Sequence, residues 1–212
     1  LSLARRRALL GGDHRDVAAS LVALGMLRTA QADYVEAERL VRAGLQMGQR
    51  LLPPGDPFVG GATASLGQVM EERGDYDAAI PVLDSAVQLL SISDTASPAL
   101  STALSELANT HFYAGHFPIS DSLNRRILVM DRAISGAAHP NVEDNLIPLG
   151  AIESESGHYA KAERYYRQGL DIMQAWYGPT HPETAAALIM IARVVVPQGR
   201  LEEAAELLHR GL

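Results

Sequence analysis

Two kinds of side chain in this sequence invite a chemical reading: its histidines and its closely spaced carboxylates. There are seven histidines and no cysteine, so a metal centre would rest on imidazole and carboxylate alone, with neither disulfide nor thiol chemistry available. His111 and His116 flank the end of one predicted helix and His158 begins a turn, but none has the second ligand pair that a zinc site brings. His139 and His181 occupy the same place in neighbouring copies of a loop, which points to loop packing or helix capping. Glu71-Glu72 and Glu153/Glu155 have the composition of an acid–base pair. General acid–base catalysis also needs a pocket and a nucleophile or positioned water, and charged turns at helix ends are ordinarily solvated. No phosphate-binding loop, nucleophile elbow or H-E-x-x-H helix is present. The residues predict no enzyme and no cofactor.

The overall balance narrows the partners. The chain has 212 residues, a formal charge of −7 and 47% hydrophobic residues, enough apolar material for a core. An acidic chain is a poor match for nucleic acid, where phosphate neutralisation dominates affinity. Arg5-Arg6-Arg7, the nearest thing to a basic run, reads as a solvated helical face. No apolar run reaches the ~18–20 residues of a membrane span, so no membrane partner is expected. The absence of cysteine fits a reducing, cytoplasmic setting.

A repeat positions these residues. Gly157-His158-Tyr159-Ala160-Lys161-Ala162 has counterparts at Gly74-Asp75-Tyr76, Gly115-His116-Phe117, Gly199-Arg200-Leu201 and Ala32-Asp33-Tyr34. The column Tyr34, Tyr76, Phe117, Tyr159, Leu201 advances by 42, 41, 42 and 42 residues. A fixed period in this range marks a solenoid of supersecondary units. Each unit holds a helix A after a Gly/Pro-rich loop, near 15–31, 57–73, 98–114, 140–156 and 182–198. A helix B follows near 34–52, 76–91, 117–135, 159–177 and 201–212. Apolar pairs such as Leu66/Val69 and Leu146/Leu149 mark one face of helix A. Gly25, Gly67, Ala108, Gly150 and Ala192 form a small column where two helices should cross closely, since a mid-helix glycine costs about 1 kcal/mol. Helix B carries a small column Ala37, Ala79, Ser120, Ala162, Ala204, followed by Leu40, Val82, Leu123, Tyr165, Leu207. The recurring aromatics are expected in the inter-helix core rather than on a stacking platform. Pro148 is expected to kink its helix A.

At these columns the chain resembles the tetratricopeptide repeat family. Leu24-Gly25…Asp33-Tyr34…Ala37…Gly44, Leu66-Gly67…Asp75-Tyr76…Ala79…Ala86 and Leu149-Gly150…Tyr159…Ala162…Gly169 follow its pattern. The 42-residue period and the His-Pro loops are similar to the subtype found in kinesin light chains and in many bacterial multidomain proteins. The resemblance implies an all-α, right-handed α-solenoid of helix-turn-helix repeats. It would form one domain over 1–212: a partial helix B at 1–12, repeats near 13–54, 55–95, 96–137 and 138–179, and a truncated one at 180–212. Cut ends would leave Leu3, Leu207, Leu208 and Leu212 exposed and favour self-association. Kinesin light chains carry paired asparagines in helix A, and the matching pairs here, Val22-Ala23, Ala64-Ser65, Ser105-Glu106, Ile147-Pro148 and Ile189-Met190, contain none. Asn109 matches one position of the family's carboxylate clamp, but Ser105 stands where that clamp has lysine.

In that family helices A line a concave groove. The matching inward positions include Gln68, Glu71, Glu72, Asn109, Phe112, Tyr113, Asp144, Glu155 and Arg193, with Met26, Ile147 and Ser154. Carboxylates, an amide and aromatics in one groove suit an extended protein or peptide segment with basic and apolar side chains. The resemblance therefore implies a protein-interaction scaffold. The alternative is a regulatory or sensor segment of a larger bacterial signalling protein, a Ser/Thr kinase or transcriptional regulator, with the catalytic or DNA-binding domain outside these residues.

Overall fold

The computed structural model describes residues 3–53, 55–93, 97–137 and 139–211, with the side chains of Leu3, Ala4, Arg7 and Ser93 left aside. Among the described residues the chain is all-α. A short α1 (Leu3–Leu10) precedes five helix pairs: α2 (Arg15–Ala30) with α3 (Tyr34–Leu51), α4 (Pro57–Glu72) with α5 (Tyr76–Ser93), α6 (Pro98–Tyr113) followed by α7 (Phe117–Ser135), α8 (Pro140–Glu155) with α9 (Tyr159–Tyr177), and α10 (Pro182–Val195) followed by α11 (Leu201–Arg210). One 3-10 turn, Val196–Gln198, closes α10. Among the described residues ten helices follow the short α1, without a strand, as the sequence predicts, and each predicted start agrees. α8 runs on past Pro148, and α5 past Pro81.

Local chemistry sets these boundaries. Asp56 accepts the amide of Phe58 and Ser97 that of Leu100, each just before a proline at the first helical position, where no intrahelical donor is lost. The A-to-B turns need a positive φ. Gly74, Gly157 and Gly199 supply it at 82°, 75° and 80°, while Ala32 adopts it at 58° in the first repeat.

Two compact units divide the chain, residues 1–115 and 116–212. In the first, consecutive helices from α2 to α6 pack on one another, and α4 also touches α2 and α6. Its core includes Val17, Leu21, Leu40 and Met47. In the second, α7 to α11 pack in sequence around Tyr166, Leu170, Leu188, Ile191 and Leu207. Leu207 is 4% exposed, correcting the expectation that it lies bare: the preceding helix α10 covers it. Leu208 is exposed as expected. The Leu3 side chain and Leu212 fall outside the described residues.

The glycine column is where helices A and B meet. A Cβ on Gly25 would stand 2.5 Å from Val41 Cγ2 and 3.0 Å from the Ala37 carbonyl oxygen. One on Gly67 would stand 2.5 Å from Leu83 Cγ, and one on Gly150 would overlap the Tyr166 ring. Gly67→Leu in the first unit and Gly150→Leu in the second are each expected to cost about 1–3 kcal/mol by overpacking. Chemical denaturation of each variant measures this, and unchanged midpoints for both would contradict the close crossing.

Candidate functional site

The last turns of α4 and α6 and the first residue of α5 enclose a cavity of about 400 Å³, lined by Gln68, Glu71, Glu72, Tyr76, Glu106, Asn109 and Tyr113. Five of these are groove positions expected from the sequence. Tyr113 is 61% exposed and stacks on Tyr76 with ring centroids 5.8 Å apart and planes at 19°. Phe112 lies edge-on to Tyr113 at 5.6 Å, half-buried and not part of the lining. Tyr76 therefore forms cavity wall as well as inter-helix packing, which corrects its assignment to core alone. Its ring has a partner to stack on because residue 113 is aromatic.

Glu72 is exposed, as a solvated helix end would be, but Glu71 and Glu106 are half-buried. Glu71 Oε2 is buried without a hydrogen-bond partner. Burial, then the charge of Glu106 and a hydrogen bond to it, push the Glu71 carboxyl up to about 8. Burial also raises Glu106. Two close, half-buried carboxyls cannot both ionise freely, so near neutrality the pair holds a shared proton. Sequence reading passed over Glu106. Its one signal was its place beside Ser105, at the helix A pair where the resembling family contacts cargo.

A second cavity of about 260 Å³ adjoins the first. Met26, Thr29, Ala30, Ala32 and Tyr34 line it, together with Gln68 and Glu72, which it shares with its neighbour. Thr29 Oγ1 donates to the Gly25 carbonyl at 3.1 Å.

The remaining candidates stand in the second unit. Glu155 and Arg193 are exposed and both bear electrostatically on Tyr166. Asp144 is eleven residues before Glu155 on α8, about 16 Å along the helix. It lies near Asp131, Glu183 and His139.

The histidines of the loops serve as caps. His14, His139 and His181 each accept, through Nδ1, the backbone amide of Asp16, Asn141 and Glu183, at 3.1, 3.2 and 3.3 Å. His139 also meets Trp176 edge-on at 5.2 Å, and His181 stacks on Tyr177 at 4.6 Å. His158 instead pairs with Glu153 at 2.8 Å. Among the described residues no three His, Asp or Glu side chains are placed to hold a metal, and no helix is long and apolar enough to cross a membrane.

Comparison with known proteins settles the family. Two tetratricopeptide repeat models match residues 22–98 and 142–212, together more than half of the chain. The chain belongs to the tetratricopeptide repeat family. The fold agrees with that of BtubC (BKLC) from P. vanneervenii, at a TM-score of 0.87 and 21% identity over 99% of this chain and 85% of that one. It agrees likewise with the nearly identical TPR-like repeats of a Podosopora anserina protein ascribed to the kinesin light chains, at 0.81 and 18% over 94% and 95%. A Rap protein complexed with Competence and Sporulation Factor superimposes at 0.74 with 12% identity, 92% of this chain covering 52% of the Rap protein. No curated protein matches the sequence.

The raised Glu71 carboxyl has a consequence for stability. An unfolded glutamate releases its proton near the usual 4.5, whereas Glu71 in the folded chain holds it to about 8. Between those values the folded state binds more protons than the unfolded one, so stability falls as pH rises and levels off above about 8. Glu71→Gln keeps the shape without that titration. In denaturation series from pH 5 to 9, the wild type should lose stability relative to the variant; parallel pH profiles would contradict the buried carboxyl pair.

Proposed function

We propose that this chain is an interaction scaffold whose first unit holds an extended, basic peptide segment of a protein partner. The tetratricopeptide fold is typical of protein–protein interaction scaffolds, and the Rap protein above was solved with a signalling factor bound. The observation that carries the reading is the α4–α6 cavity. Its carboxylates are partly desolvated, one oxygen lacks a donor, and a stacked tyrosine pair stands beside them. A lysine or arginine would bring its charge beside the Glu71–Glu106 pair and donate to the exposed Glu72. The tyrosine faces favour the same cation, and excess negative charge speeds its encounter. Binding rather than catalysis fits the lining, which offers no nucleophile next to a base. Asp144, Glu155 and Arg193 are the candidate contacts of the second unit, taken by itself.

A second reading makes the chain a regulatory segment of a larger signalling protein. The observation favouring it is that the chain spans about half of the Rap protein and of aspartyl phosphate phosphatase F from Bacillus subtilis, the latter at a TM-score of 0.80 and 12% identity.

Fluorescence anisotropy with a labelled lysine- and arginine-rich peptide tests the first reading. The wild type should bind it and ignore an acidic peptide of equal length. The double variant Glu72→Gln/Glu106→Gln should bind about tenfold more weakly or worse, a loss of about 1.4 kcal/mol. Affinity should rise from pH 6 to 9 as the shared proton leaves Glu71. Equal affinity in wild type and variant, or no binding, would overturn the groove as the site.

A further inference from the structure

The two cavities of the first unit are one subsite occurring twice. Met26, Thr29, Ala30 and Tyr34 line one; Gln68, Glu71, Glu72 and Tyr76 line the other. Each residue of the first set stands 42 positions before its counterpart in the second. The far wall matches too. Gln68 and Glu72 close the first cavity, and their repeat equivalents Asn109 and Tyr113 close the second. The shared residues make the cavities neighbours, and the contacts of α4 with both α2 and α6 set them one repeat apart.

The chemistry differs between copies. The near wall of the first is a thioether, two alanines, a tyrosine and a threonine whose hydroxyl is spent on the Gly25 carbonyl. The second presents three carboxylates and the stacked tyrosines. The near wall of the first suits an apolar side chain, with Gln68 and the shared Glu72 on the side facing it, and the second suits a cation.

Successive packed helices lie about 8–10 Å apart. A polyproline-type peptide advances about 3.1 Å per residue with three residues per turn. Side chains at i and i+3 then project from one face about 9 Å apart, which matches one repeat. A β-strand places same-face side chains at about 7 or 13 Å, which does not.

We propose that the first unit reads one peptide side chain per repeat at a spacing of three residues, an unbranched apolar side chain in the α2–α4 cavity and an arginine or lysine in the α4–α6 cavity. This rests on the groove reading above and adds its register and its sequence preference.

The test is a set of labelled, end-blocked peptides on an alanine–proline background. Each carries one methionine and one arginine separated by one to four positions, in both orders, and one further peptide carries arginine at both i and i+3. In one order the i, i+3 peptide should bind at least about tenfold more tightly than the other spacings. Glu106→Gln should weaken every arginine peptide. Ala30→Glu, a change at an exposed position that copies Glu72, should turn the preference towards arginine at both i and i+3. Arginine peptides that bind, and weaken with Glu106→Gln, but show no preference for i+3 would overturn the register and leave the groove reading standing. An unchanged preference in Ala30→Glu would overturn the assignment of the α2–α4 cavity as the second reader. If no arginine peptide binds, both readings fall.

Discussion

The structure depends on one recurring contact, a helix A glycine lying under a helix B side chain sixteen residues later. Gly25 sits under Val41, Gly67 under Leu83 and Gly150 under Tyr166. The partner side chains are almost wholly buried. Each glycine gives up about 1 kcal/mol of helix propensity to let the two helices approach, and the buried side chain offsets that loss. In the first unit this approach also brings the last turn of helix A up to the first residue of helix B. That places Tyr34 and Tyr76 in the walls of the two cavities. The packing rule and the binding geometry thus share a cause.

Charge is used in two opposite ways. Between repeats, acids are matched: Glu38 on α3 meets Arg73 at 2.7 Å, and Glu163 on α9 meets Arg200 at 2.6 Å. Both pairs join the fifth residue of a helix B to the A-to-B turn of the next repeat. The arginines of both pairs are part-exposed, which limits their net stability, while Glu163 is buried; the pairs favour one stacking register. In the α4–α6 cavity the acids are unmatched. Glu71 and Glu106 both have raised carboxyls, a free-energy cost that the fold carries and that a bound cation would relieve. Unmatched acids at one place against paired acids elsewhere break the local pattern in the way that functional sites do.

Much of the fold was legible because it repeats. The start of every long helix could be read from its Gly/Pro-rich loop or from the Tyr/Phe/Leu column, and the small column marked the crossing before any contact was known. The identity of the crossing partner was not legible. Leu40/Val41, Val82/Leu83 and Tyr165/Tyr166 are each two adjacent apolar residues, and periodicity alone does not say which one points at the glycine. The structure chooses the second. At the site, Gln68, Glu71, Glu72, Asn109 and Tyr113 could be found by aligning repeats. Glu106 and the wall role of Tyr76 could not. A carboxylate at one copy of a column breaks no pattern, and stacking depends on which aromatic of α5 faces which of α6. Leu207 was misjudged because its cover comes from the preceding helix rather than from a following repeat.

On the proposed reading, the cavity where α4 and α6 end and α5 begins binds a cation. The most direct measurement is a backbone-amide NMR titration of the labelled chain with an arginine peptide. The account predicts the largest shift changes at Gln68, Glu72, Tyr76, Asn109 and Tyr113, with the outer surface of α3 and α5 still. Changes centred on those outer surfaces, or confined to the second unit, would contradict it.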